Sequence, residues 1–213
     1  MSIGTSRKQA ALGLEQIASL LRAQAWSDDG SPSLSPTQGA VVRMLAGAAT
    51  GLRASHVAAR LGVSPASLSE SIKAMEARQW LQRHADPDDG RASRLRLSAK
   101  GRRLAARLDD PANGLGSLLE TLDEPDLGAL LRVTQLLVRE AQRRGLATGQ
   151  RTCLGCRYFQ PFATGRSDRP HYCAYVAQAF GDPELRIDCN EHEAAIPAAI
   201  EANAARFRQP VPP

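Results

Sequence analysis

Apolar residues recur at helical spacing along most of this chain and alternate in only one place. Leu12, Ile17, Leu20 and Leu21 give the opening segment one apolar side, the mark of an amphipathic helix. Ser35-Pro36-Thr37-Gln38 is a capping box with proline at the first helical position, and Val41, Val42 and Leu45 continue the helix it opens. Between these two helices, WSDDGSPSL is expected to be a loop. His56 to Leu61 predicts a short helix stopped at Gly62, where a left-handed residue is favoured. Ser64 then caps a second helix that begins at Pro65. Leu68, Ile72 and Met75 lie at i, i+4 and i+7 and form one buried stripe, while Ser67, Ser69, Glu70 and Lys73 occupy the opposite face. After Leu81 the period changes. Asp86-Pro87-Asp88-Asp89-Gly90 is a turn cluster, and Arg94-Leu95-Arg96-Leu97 alternates as a half-exposed strand does. Helical spacing returns over roughly 99–122 and 124–144, interrupted near Asp110-Pro111. There Leu127, Leu130, Leu131, Leu137 and Val138 share one broad face, with Thr134 its only polar member. A short helix and a proline-rich tail are expected over 196–213.

Charge sharpens this picture around the alternating segment. From Lys73 to Arg107 there are ten Lys/Arg against four Asp/Glu, a local net of +6, whereas the whole chain carries +5. Helix, glycine turn and Ser-capped helix make a helix-turn-helix pattern, and a basic hairpin follows it. One such element suits a groove of duplex DNA and the other its phosphates. A chain of 213 residues can bury a real core with room for a small appendage. Its apolar runs fall far short of the ~20 residues that span a membrane, and no signal peptide opens it, so a cytoplasmic protein without membrane contact is expected. No Ser/His/Asp arrangement, phosphate-binding glycine loop or carboxylate pair in a recognisable setting is present, and an enzyme is not expected.

The strings VAARLGVSPASLSESIKAMEARQWLQR and DPDDGRASRLRLSAKGR resemble the MarR-type winged helix-turn-helix regulators. The second resembles that family's wing signature, at Asp89, Arg91, Leu97, Ser98, Lys100 and Gly101. The resemblance covers roughly residues 5–146 and is strongest over 50–103. It implies a mainly α fold with a small β wing, in which the first and last helices are dimerisation elements. It implies further that Ser64, Ser67, Ser69 and Lys73 face a major groove, and that Arg91 at the wing tip enters a minor groove with Asp89 orienting it. Arg94 and Arg96 lie on the same projecting hairpin. A two-fold homodimer would place its recognition helices about 34–36 Å apart on a palindromic operator. Gln79 departs from the family pattern, which often has glycine there, and Glu70 is an acidic residue on the face meant for DNA.

A second feature lies outside that resemblance. Every cysteine, phenylalanine and tyrosine falls after residue 150, with the cysteines spaced C-x2-C-x16-C-x15-C at Cys153, Cys156, Cys173 and Cys189. The expected organisation is therefore a DNA-binding and dimerisation domain over 1–146, with its core at about 35–105, then a cysteine-rich module over 151–195. A unit of that size is close to the limit at which a domain needs a metal, a disulfide or a partner surface. Four thiolates at long intervals among aromatic residues suit an iron–sulfur cluster. Zinc is the alternative, with Cys153 and Cys156 as one pair and Cys189 and His192 as a second. A metal-free dithiol of Cys153 and Cys156 is the third possibility. Three functions follow. The first is a regulator, a repressor of its operator, that answers redox or metal state through the cysteines. The second is a regulator of the same type with a structural zinc module and a small organic effector. The third is a redox or electron-transfer protein.

Overall fold

The computed structural model describes residues 3–25, 34–108, 115–146 and 149–208, and the side chains of these except 21–25 and 115. Most of the expected loop WSDDGSPSL, the interruption at Asp110-Pro111, the Leu21 side chain and the end of the tail lie outside the described residues. The described elements run α1 (Ile3–Ala25), α2 (Pro36–Ala46), β1 (Leu52–Arg53), α3 (Ala54–Leu61), α4 (Pro65–Ala77), β2 (Leu81–Asp86), β3 (Asp89–Leu97), α5 (Ala99–Leu108), α6 (Leu115–Leu119), α7 (Glu124–Arg143), β4 (Phe159–Gln160), β5 (His171–Cys173), β6 (Gln178–Phe180) and α8 (Pro197–Phe207). Among the described residues no helix is long and apolar enough to cross a membrane. The chain divides into two compact units, one of 1–54 with 65–120 and one of 55–64 with 121–213.

In the first unit the capping box forms as expected: Gln38 N donates to Ser35 Oγ at 3.2 Å, and Ser35 N to Gln38 Oε1 at 3.1 Å. It starts α2, whose Val41, Val42 and Leu45 are buried against α4, α5 and β3. The stripe on α4 also forms, with Leu68, Ile72 and Met75 all at most 2 % exposed. Each is worth about 1.5–3 kcal/mol relative to an exposed position. At the end of α4, Trp80 N donates back to Met75 O and Gln79 takes a left-handed φ of 60°. A left-handed φ favours glycine, so Gln79 holds this turn at some cost in strain. The sheet has the order β1-β3-β2 and is antiparallel throughout, with Leu81 opposite Leu97 and Leu52 opposite Leu95. Strand β3 is longer than the alternation of 94–97 indicated, because pairing with β2 carries it back to Asp89; the turn shrinks to Pro87 and Asp88. The exposed apolar residues Leu12, Leu14, Ile17 and Leu20 run along α1.

The signature that follows the wing has a steric cause. Ser98 Oγ accepts Gly101 N at 3.0 Å, capping α5, and donates to Gln79 O at 2.5 Å. A Cβ on Gly101 would lie 1.9 Å from the Trp80 carbonyl oxygen, so only glycine lets α5 approach the end of α4 this closely.

In the second unit, α7 and α8 share one core with the cysteine segment, built from Leu154, Cys156, Phe159, Phe180, Leu185, Ala204 and Phe207. The sequence-derived boundary at 146–151 does not coincide with this division. Strands β4, β5 and β6 form a three-stranded antiparallel sheet. On the broad apolar face expected on α7, Leu130 and Leu137 are 40 % and 51 % exposed. The side that packs on the cysteine segment is made by Gly128, Gln135 and the partly buried Leu131 and Leu136. Gly128 meets Asp182 and Pro183, and Gln135 is wholly buried.

Candidate nucleic-acid interface and cysteine cavity

Gly62 takes the left-handed φ of 66° that turns the chain from α3 toward α4. On the outer face that α4 leaves uncovered, Ser67 and Lys73 are exposed and Ser69 is half-buried; Ser64, just before the helix, is exposed as well. Arg91 stands exposed near the start of β3. Asp89 accepts the backbone N–H of Arg91 at 3.1 Å and faces Arg53 at 3.6 Å, so it shapes the main chain under Arg91 rather than gripping its guanidinium.

The two other wing arginines are held by the protein itself. Arg94 Nε lies 3.1 Å from Asp86, and Arg94 Nη2 donates to Asp88 at 2.8 Å. Arg96 Nη2 donates to Ala49 O at 3.2 Å. Asp86, which sequence reading placed in a turn, is the hub of this arrangement. It is buried, accepts Arg53 Nε at 2.5 Å and Asp88 N at 3.0 Å, and its carboxyl is held well below the usual carboxylate range by hydrogen bonds from Arg53 and Arg94. Sequence carried little signal for this hub, because Arg53 lies 33 residues before Asp86 and a charge count does not pair them.

The four cysteines meet. All are free thiols, and all line one cavity of about 130 Å³ together with Tyr158, Phe159, Phe180 and Arg186. Cys153 and Cys156 flank a single 3₁₀ turn, Cys173 ends β5, and Cys189 lies in the loop beyond Asp182–Glu184. Arg186 serves two of them: its backbone N–H donates to Cys153 Sγ at 3.3 Å, and its guanidinium lies 4.0 Å from Cys189 Sγ. Burial pushes the Cys153 thiol up to about 11 and raises that of Cys189. Among the described residues no three His, Cys, Asp or Glu side chains converge as ligands of one metal ion. His192 does not line the cavity; its Nε2 is buried near Gly155. Beneath the cavity, Gln135 of α7 accepts Leu154 N at 3.0 Å and donates to Arg186 O at 2.8 Å, tying the first cysteine turn and the Arg186 loop to one helix. Sequence reading missed Gln135, a polar residue with no motif around it.

Residues 33–92 match the model of the MarR family. Among solved structures, the PcaV transcriptional regulator of Streptomyces coelicolor, in complex with its natural ligand, is 25% identical; the match covers 66% of this chain and 97% of that one with a TM-score of 0.52. A MarR family protein of Bacillus stearothermophilus is 19% identical over 67% of this chain and 99% of its own, with a TM-score of 0.51. The MepR–DNA complex of S. aureus gives 18% identity, 60% and 95% coverage and a TM-score of 0.51. These last two show likeness of fold. None of the curated proteins matches the chain closely enough to count as a relative.

Proposed function

We propose, from the match of residues 33–92 to the MarR family model, that the chain is a DNA-binding transcriptional regulator that acts as a homodimer on a palindromic operator. The observation that carries this is the pairing of an α4 with an open polar face and a hairpin that presents Arg91 to solvent. In this reading α4 enters the major groove through Ser64, Ser67, Ser69 and Lys73, and Arg91 enters the minor groove beside it. Arg94 and Arg96 act mainly by holding the wing, and Asp89 by shaping its tip. The exposed apolar residues of α1 (Leu12, Leu14, Ile17, Leu20) and of α7 (Leu130, Val133, Leu137) supply the surface for a second copy.

The regulator answers redox or metal state through its cysteine cavity. Four thiols around a largely apolar space, with room for a group of several atoms, favour an iron–sulfur cluster held by Cys153, Cys156, Cys173 and Cys189. The N–H donated by Arg186 to Cys153 supports the same choice, since such hydrogen bonds set a cluster's potential. A second reading, a small organic effector with a structural zinc module, is favoured by the likeness to PcaV, a regulator solved with its natural ligand.

Two measurements test these readings. Duplexes selected by the protein from a random pool should bind it as a dimer. Arg91→Ala should then weaken binding at least about tenfold and lower the salt slope by about one, since one phosphate-region cation is lost. Unchanged affinity and slope remove the wing from the interface. Protein purified without oxygen should be brown, with iron and sulfide in matched amounts; a colourless protein with one zinc per chain supports the second reading.

A further inference from the structure

The division between the two compact units falls between Ser64 and Pro65, inside the helix-turn-helix. A second division falls between Ala54 and Ser55, so α3 from Ser55 onward belongs with the cysteine segment while β1 and α4 belong with the wing, and the chain passes from α3 to α4 through Gly62, Val63 and Ser64. What holds α3 to the cysteine segment is specific. Arg60, near its C-terminal end, has a side chain only 11 % exposed and pairs with Asp188, the residue immediately before Cys189. The Gln150 side chain donates to Arg60 O at 3.1 Å. Gly149 lies so close to the Ala59 carbonyl that a Cβ would come within 2.4 Å of its oxygen. Cys189 N in turn donates to Arg151 O at 3.0 Å, and Cys153 N to Arg186 O at 3.1 Å. The stretch 149–153 is thus bonded to α3 at one end and to the two cysteine-bearing loops at the other.

We infer that the Arg60–Asp188 pair is the output of the cysteine centre: loading the four thiols fixes Cys189, and with it Asp188, and so holds α3. This rests on the reading of the cavity as a site for a metal group, and it names how that site controls DNA binding. Ligation at Cys189 adds a restraint to the middle of the loop 186–192, which is otherwise tied to the rest of its unit at Arg186 by Cys153 and Gln135, at Cys189 and Asn190 by Arg151, and at Asp188 by Arg60. Emptying the site removes that restraint next to Asp188 and loosens the carboxylate's hold on Arg60. Because α3 enters the turn that leads into α4, its freedom alters how α4 is presented to DNA. Neither Arg60 nor Asp188 is a ligand in this scheme; each is a positioning residue.

Hydrogen exchange of the α3 amides tests this on the full-length chain, loaded with iron and sulfide without oxygen or stripped by chelator. In the wild type, loading should slow exchange over residues 57–62 at least about fivefold, the lower end of ordinary coupling between two sites. Asp188→Asn and Arg60→Gln should still take up the cluster, judged by visible absorption, yet lose that difference. The charge exchange Arg60→Asp with Asp188→Arg should restore part of it. Variants that load and keep the full difference overturn the inference, as does a wild type that loads without any change in α3. Failure of both single variants to load also overturns it, since the pair would then serve assembly of the centre and not its output. A wild type that takes up neither iron and sulfide nor zinc overturns the reading of the cavity itself, and the inference falls with it.

Discussion

Replacing Gln135 with leucine should loosen the cysteine segment from α7 by an amount that follows from its hydrogen bonds. Gln135 is 0 % exposed and makes two bonds, accepting Leu154 N at 3.0 Å and donating to Arg186 O at 2.8 Å. Leu154 N loses its side-chain acceptor in a buried place, which costs about 1–3 kcal/mol. Arg186 O keeps the N–H of Cys153, so its loss is nearer that of one ordinary bond, about 1 kcal/mol. Leucine returns about 1 kcal/mol through added apolar burial. The net is a loss of about 2 kcal/mol, or roughly 10 °C in the transition of a unit of this size. Tyrosine offers a selective signal, because Tyr158, Tyr172 and Tyr175 all lie in the unit of 121–213, while Trp80 lies buried in the other. Thermal melts of metal-free Gln135→Leu should shift the tyrosine transition and leave the tryptophan transition in place. Since Arg186 also steadies Cys153, metal affinity should drop about tenfold. A tyrosine shift of under about 2 °C, or an equal shift in both signals, refutes the assignment of Gln135 as the tie.

Further expectations concern other parts of the chain. Gly101→Ala must move the Trp80 carbonyl or α5, and urea melts followed by tryptophan should show a loss of about 2–3 kcal/mol. Ser98→Ala removes the cap of α5 and should cost about 1 kcal/mol in the same assay. The carboxyl of Asp86 is depressed by Arg53 and Arg94, so the stability it lends is fully present above about pH 4 and fades as pH falls through its folded value. Asp86→Asn should therefore flatten the acid limb of a stability–pH profile, and an unchanged limb would contradict the pairing. Cys156→Ala should abolish retention of iron or zinc while the tryptophan transition stays where it was.

What could be seen in the sequence was whatever local chemistry decides. The capping box at Ser35, the stripe of Leu68, Ile72 and Met75 and the turn at Gly62 each follow from a few neighbouring residues, and each is where it was expected. Tertiary contacts hid the rest. On α7 the apolar residues pointed to one face, but the cysteine segment packs on the side of Gly128 and Gln135, a small and a polar residue that carry no hydrophobic signal. Arg94 and Arg96 counted as free charge until Asp86 and the Ala49 carbonyl were seen to hold them. Strands of two or three residues, as in β4, β5 and β6, are too short for alternation to register. The cysteines were legible as a group by composition, but their convergence on one cavity depends on this sheet and on α7.

The ion pairs beneath the wing bear on the thermodynamics of recognition. With Asp86 clamped between Arg53 and Arg94, and Arg96 fastened to the Ala49 carbonyl, the hairpin is ordered by the protein itself, before any duplex that the proposed function would bring to it. Conformational entropy that a floppy wing would forfeit on docking has already been given up in folding. In the proposed reading the exposed Arg91 side chain is then left to be immobilised in a groove, on a hairpin whose backbone is already set.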